Sequence, residues 1–135
     1  MLNFLAIDDD EIDLVAMKRG LVKAGVEHTL TTATEGFEAL RLLRGGEVPG
    51  ERRIVLLDLN MPRMHGLEFM RELRADAALA STPVVVLTTS AHDTDRVAAH
   101  RLHCAGYFLK PVEFAKFVEL LQAIDRYWSL VEFAA

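Results

Sequence analysis

Four apolar runs, each closed by a polar or charged residue, set the pattern of this chain. Phe4-Leu5-Ala6-Ile7 ends at Asp8 and Asp9, and Ile54-Val55-Leu56-Leu57 ends at Asp58. Val84-Val85-Val86-Leu87 ends at Thr88, and Tyr107-Phe108-Leu109 ends at Lys110, just before Pro111. Short apolar runs bounded by turn residues read as strands. The first spans Asn3 to Ile7, and a shorter threonine-rich strand spans Thr29 to Ala33. The third runs from Arg53 to Leu57, the fourth starts at Pro83, and the fifth covers Tyr107 to Leu109.

Helical spacing fills the intervals. Asp10 to about Ala24 carries Ile12, Val15, Ala16, Arg19 and Val22 at helical spacing and stops at Gly25. Glu35 to Arg44 is closed by Gly45-Gly46, and Gly66 opens a helix with Leu67, Met70 and Leu73. Asp93 to Leu102 has a weaker helical pattern, and a last helix begins near Glu113 and runs to about Val131. Five strands alternating with five helices predict an α/β domain with a parallel sheet covered on both faces. Right-handed crossovers gather strand ends of one sense on one edge, and ligands of such folds bind outside the carboxyl ends. Asp8, Asp9, Asp58, Thr88 and Lys110 all fall on that edge.

Composition narrows the setting. The 135 residues suit one domain, 1–135, and 51% apolar content supplies one core. A formal net charge of -5 with dispersed arginines argues against a nucleic-acid footprint. No apolar run reaches a membrane span, and Asp8 comes too early for a signal peptide. One cysteine, Cys104, cannot pair internally and suits a reducing, cytoplasmic compartment.

The clustered residues have a definite chemistry. Carboxylates about 4 Å apart repel by roughly 4 kcal/mol per pair at an effective dielectric near 20. A divalent cation relieves that cost, and oxygen-only ligands favour Mg2+ or its hard relatives such as Mn2+. With the metal held mainly by Asp9 and Asp58, and completed by the Asn60 main-chain carbonyl, one Asp58 oxygen stays free to attack phosphorus. Lys110 would neutralise incoming phosphoryl oxygens and the Thr88 hydroxyl would donate to them. A phosphatase turning over an aspartyl-phosphate fits poorly, because Asn60 stands where its second Asp would serve in proton transfer. A flavin mononucleotide carrier fits poorly too, because Asp8-Asp9-Asp10-Glu11 would repel its phosphate.

LAIDDD, LLDLNMP, PVVVLTTS and GYFLKP, in that order, resemble the receiver domain of two-component response regulators across essentially the whole chain. The resemblance implies a flavodoxin-like (βα)5 fold with strand order 2-1-3-4-5. It implies a phosphorylated signalling protein rather than an enzyme, taking a phosphoryl group on Asp58 from a histidine kinase. Asp8 and Asp9 would then bind Mg2+, Thr88 and Lys110 would sense the phosphoryl group, and Tyr107 would switch rotamer. DLNMPRM, VVVLTTS and LLQAIDRYWSLV are similar, more narrowly, to stand-alone receivers that partner phytochrome-type kinases, with no output domain. A phosphate sink or shuttle in a relay would use the same site. His65 departs from the family's Asp in MPxMDG; its position bears on loop geometry and phosphoryl lifetime rather than on ligation.

Other residues carry plainer expectations. Asp10 and Glu11 read as the cap and first turn of the first helix. Ser90 flanks the site, and Thr89 reads as structural. His100, His103 and Cys104 lack the further ligands of a closed zinc site. The last helix has one apolar stripe through Phe114, Phe117, Val118, Leu121, Ile124, Trp128 and Val131. Leu120, Ala123, Tyr127 and Leu130 widen it beyond what covering a sheet needs. The excess predicts a homodimer through this helix, with a kinase or downstream protein as the competing occupant.

Overall fold

The computed structural model describes residues 1–134. Strands β1 (Leu2–Ile7), β2 (His28–Ala33), β3 (Arg53–Leu57), β4 (Val84–Thr88) and β5 (Gly106–Leu109) alternate with five helices. These are α1 (Glu11–Lys23), α2 (Gly36–Arg44), α3 (Gly66–Ala75), α4 (Asp93–Arg101) and α5 (Phe114–Leu130). All strand pairings are parallel and the order is β2-β1-β3-β4-β5. The flavodoxin-like arrangement expected from the sequence is therefore the one observed, with element ends within a residue or two.

Side-chain alternation along each strand splits the core into two layers. Leu5, Ile7, Val55, Leu57, Val84 and Val86 face α2, α3 and α4, where they meet Leu40, Leu43, Phe69, Met70 and Leu73. Phe4, Ala6, Ile54, Leu56, Val85 and Leu87 face α1 and α5, where they meet Leu14, Met17, Leu21, Phe117, Leu121 and Trp128. Burial on both faces is why the central runs are apolar at every position rather than at alternate ones.

The face of α1 differs from the sequence expectation. Leu14, Met17, Gly20 and Leu21 are buried, whereas Ile12, Val15 and Val22 are exposed. α5 decides this. A Cβ at Gly20 would lie 2.7 Å from Leu121 Cδ1, so the glycine marks the contact line between the two helices. The stripe that looked like the core side of α1 is its solvent side.

At the far end of α5, Arg52 supplies a cation that the helix's own last turn lacks. Its guanidinium donates to the carbonyls of Trp128 at 2.8 Å and Val131 at 3.4 Å, and lies 4.8 Å from the Phe133 ring centroid. These bonds satisfy helix-end carbonyls and oppose the negative end of the helix dipole. Among the described residues, no helix is long and apolar enough to cross a membrane.

Candidate metal and phosphoryl site

Register alone places two carboxylates side by side. Ile7 of β1 pairs with Leu57 of β3, and the Asp58 N–H donates to the Ile7 carbonyl at 2.9 Å. Asp8 and Asp58 are buried and Asp9 is exposed, and one carboxylate oxygen from each lies within 4.8 Å of the others. The set is oxygen-only, anionic and open on the Asp9 side, which fits a hard divalent cation that keeps some of its waters. Burial pushes the Asp8 carboxyl up to about 6, and the nearby Asp58 charge adds to this. Bonds from Lys110 and the Asp10 N–H oppose the rise. Asp10 itself caps α1, accepting from the Ile12 N–H at 2.9 Å.

Lys110 arrives from the end of β5, held by its N–H donating to the Thr88 carbonyl at 2.9 Å. Its ammonium donates to Asp8 Oδ2 at 2.6 Å and Asp13 Oδ2 at 2.8 Å, and stands 3.8 Å from Asp58 Oδ2. Burial alone would pull the lysine down, but the Asp13 and Asp8 bonds, helped by Asp58, hold it well above its ordinary value. Lys110 is a permanent cation here. Sequence reasoning missed Asp13. Nothing in the sequence marks it, because an acidic residue in the first turn of a helix is ordinary whatever it bonds to.

Thr88 is fully buried at the end of β4, and its Oγ1 accepts from the Ser90 N–H at 3.2 Å. Ser90 also donates through Oγ to Asp95 Oδ2 in the first turn of α4 at 2.6 Å, and its carbonyl accepts from the Tyr107 hydroxyl at 2.8 Å. Asn60 is exposed on the turn after β3, with its N–H 3.5 Å from Asp58 Oδ1. In the same loop, Arg63 takes a left-handed φ of 65° and pairs with Glu35 at 2.7 Å, tying the loop to the start of α2. His65 caps α3, its Nδ1 accepting from the Leu67 N–H at 3.1 Å. The site loop closes tightly because the next residue is Gly66, where a Cβ would meet the Asp58 carbonyl at 2.7 Å. His100 Nδ1 and Cys104 Sγ are 3.7 Å apart. Among the described residues, the one group of three potential metal ligands is Asp8, Asp9 and Asp58.

The response regulator receiver domain profile matches residues 4–122. The chain belongs to that family. It is 31% identical over 127 residues to the response regulator Rcp1 of Synechocystis sp., covering 92% of this chain and 86% of Rcp1. It superposes on the phosphorylated cyanobacterial phytochrome response regulator RcpA with a TM-score of 0.85 and 28% identity, covering 100% of both chains. The Mn2+-bound form of response regulator Rcp1 gives a TM-score of 0.82 at 29% identity, covering 98% of this chain and 99% of that one. This receiver domain is thus a component of two-component signalling, and its acidic cluster occupies the carboxyl edge of a receiver fold.

Proposed function

We propose that Asp58 accepts a phosphoryl group from a histidine kinase and that the modified receiver changes its affinity for protein partners. The grouping of Asp8, Asp9 and Asp58 beside the Lys110 ammonium carries this reading. A free Asp58 oxygen attacks phosphorus, an O–P bond forms, and the N–P bond of the phosphohistidine breaks with its electron pair left on the imidazole nitrogen. Asp8 and Asp9, with Asp58 and the Asn60 main-chain carbonyl, would hold Mg2+ or Mn2+. Bound there, the cation would supply charge neutralisation for the phosphoryl oxygens. Lys110 contributes a second positive charge, and the Thr88 hydroxyl a hydrogen bond. The Mn2+-bound Rcp1 and phosphorylated RcpA structures support this assignment by similarity.

Similarity to phytochrome response regulators favours a phytochrome-type kinase as donor. The donor histidine has to approach Asp58, and the exposed α1 stripe of Ile12, Val15 and Val22 offers an apolar landing surface on the helix that begins beside the site. Within 1–135 the chain works as a single receiver unit, switching through Thr88 and Tyr107 a surface made by α4, β5 and α5. A second copy is the preferred occupant of that surface. Phe108, Leu120, Ala123 and Tyr127 line an apolar groove there, and Tyr127 and Leu130 are exposed. Tyr127→Arg should shift an ultracentrifuge dimer toward monomer.

Intact-mass spectrometry after incubation with a small phosphodonor tests the central step. One phosphoryl group should be gained with Mg2+, none without it, and none in Asp58→Asn. Failure with both the small donor and a phosphorylated histidine kinase would remove the phosphoacceptor reading.

A further inference from the structure

Lys110 is shared unequally among its three carboxylates. An ammonium has three N–H donors. Two are spent on Asp8 and Asp13, while the 3.8 Å separation from Asp58 is too long for a hydrogen bond. The two close partners differ in kind. Asp8 is buried and belongs to the carboxylate cluster; Asp13 lies outside it, on the first turn of α1, with its side chain 42% exposed.

We propose that Asp13 is a positioning residue that holds the Lys110 ammonium off the Asp58 oxygen until a phosphoryl group competes for it. The proposal rests on Asp58 being the phosphoacceptor. A half-exposed ion pair is weak and exchanges readily. A phosphoryl group brings close to two negative charges and several acceptor oxygens, so it outcompetes such a partner. A cavity of about 60 Å³ borders Lys110 together with Asp8, Asp13, Asp58, Met17 and Phe117, which leaves the side chain room to shift. With Asp13 in place, Asp58 stays unshielded as a nucleophile, and the lysine is released only to a product that draws it more strongly.

A plain structural role competes with this one. An acidic residue in the first turn of a helix is favourable at its positive end whatever it bonds to. That role does not pass through Lys110, and the two are separable by experiment.

Beryllofluoride, a phosphoryl mimic that binds without a chemical step, is titrated with Mg2+ and followed by 19F NMR. Asp13→Asn and Asp13→Ala should each raise apparent affinity roughly threefold to fivefold, the gain expected on removing a weak competing state. Asp13→Glu, which can still reach the lysine, should return the wild-type value. In a Lys110→Ala background, Asp13→Asn should change nothing. An equal rise in that background would assign the effect to bare charge repulsion and overturn the proposal. No rise with Lys110 present would overturn it as well. Phosphodonor mass shifts on the same samples keep the two readings apart. A normal mass gain without an Asp13 effect removes this inference alone, whereas no uptake by the wild-type chain removes the phosphoacceptor reading and this inference with it.

Discussion

The Tyr107 hydroxyl donates to the Ser90 carbonyl at 2.8 Å. Ser90 in turn donates from its backbone to Thr88 Oγ1 and from its hydroxyl to Asp95 of α4. One buried residue therefore joins the strand end at the site, the β5 aromatic and the first turn of α4. Tyr107→Phe removes only the terminal bond of this chain. It should cost about 1 kcal/mol of stability, as a partly buried neutral hydrogen bond does. Phosphoryl uptake at Asp58 should persist, so urea denaturation and intact mass on the same samples should diverge.

His65 does by its ring nitrogen what an aspartate does by its carboxylate at a helix start. An unprotonated Nδ1 is required, since a doubly protonated imidazole has no acceptor. His65→Ala should lower stability by about 1 kcal/mol through loss of the cap. His65→Asp should retain the cap and add a favourable charge at the positive helix end. Thermal melts should rank His65→Asp at or above the wild-type chain and His65→Ala below both.

Gly66 is fixed by the Asp58 backbone. A methyl group there would meet the Asp58 carbonyl oxygen and Leu59 Cα, both at 2.7 Å, and neither is a side chain that can swing away. Gly66→Ala should cost roughly 1–3 kcal/mol, as overpacking does. It should also displace Asp58, so phosphoryl uptake per folded molecule should fall along with the denaturation midpoint.

Metal affinity should follow the protonation of Asp8. Its carboxyl sits at about 6 in the folded chain, above the ordinary value of 3.8, because burial disfavours the anion. In metal-free protein, this group's contribution to stability is greatest below the unfolded value and is lost as pH rises through about 6. Metal binding needs the deprotonated form. For one proton titrating near 6, Mg2+ affinity should be about tenfold weaker at pH 5 than at pH 7. Asp8→Asn should flatten that dependence, and isothermal titration at the two pH values measures it.

Strand ends were the most readable feature of the chain. A parallel sheet buries its central strands on both faces, so each apolar run stops where the backbone leaves the core. Asp8, Asp58 and Thr88 announce themselves by ending such runs, and Lys110 ends the apolar run of the edge strand β5, where Phe108 and Leu109 are exposed. α1 was less legible, because Ile12, Val15 and Val22 form an apolar stripe that competes with Leu14, Met17, Gly20 and Leu21. The contact that selects the buried stripe is the seat of Leu121 on Gly20, and a glycine carries no hydrophobic signal. Asp13 was invisible for a related reason. Its partner lies 97 residues away, and only the folded sheet brings the lysine to it.

Arg52 gives α5 one pinned end and one loose one. Two carbonyls at the carboxyl end are clamped by a single guanidinium, while the opposite end follows Lys110 after the short Pro111-Val112-Glu113 link. A displacement of Lys110 would therefore reach α5 first at its amino end, opposite the Arg52 clamp. Val112 and Phe114, at that amino end, face solvent, whereas Trp128 at the clamped end is buried. The two ends of the helix thus differ in what holds them, the distal one by a guanidinium clamp and the near one by its link to the lysine of the site.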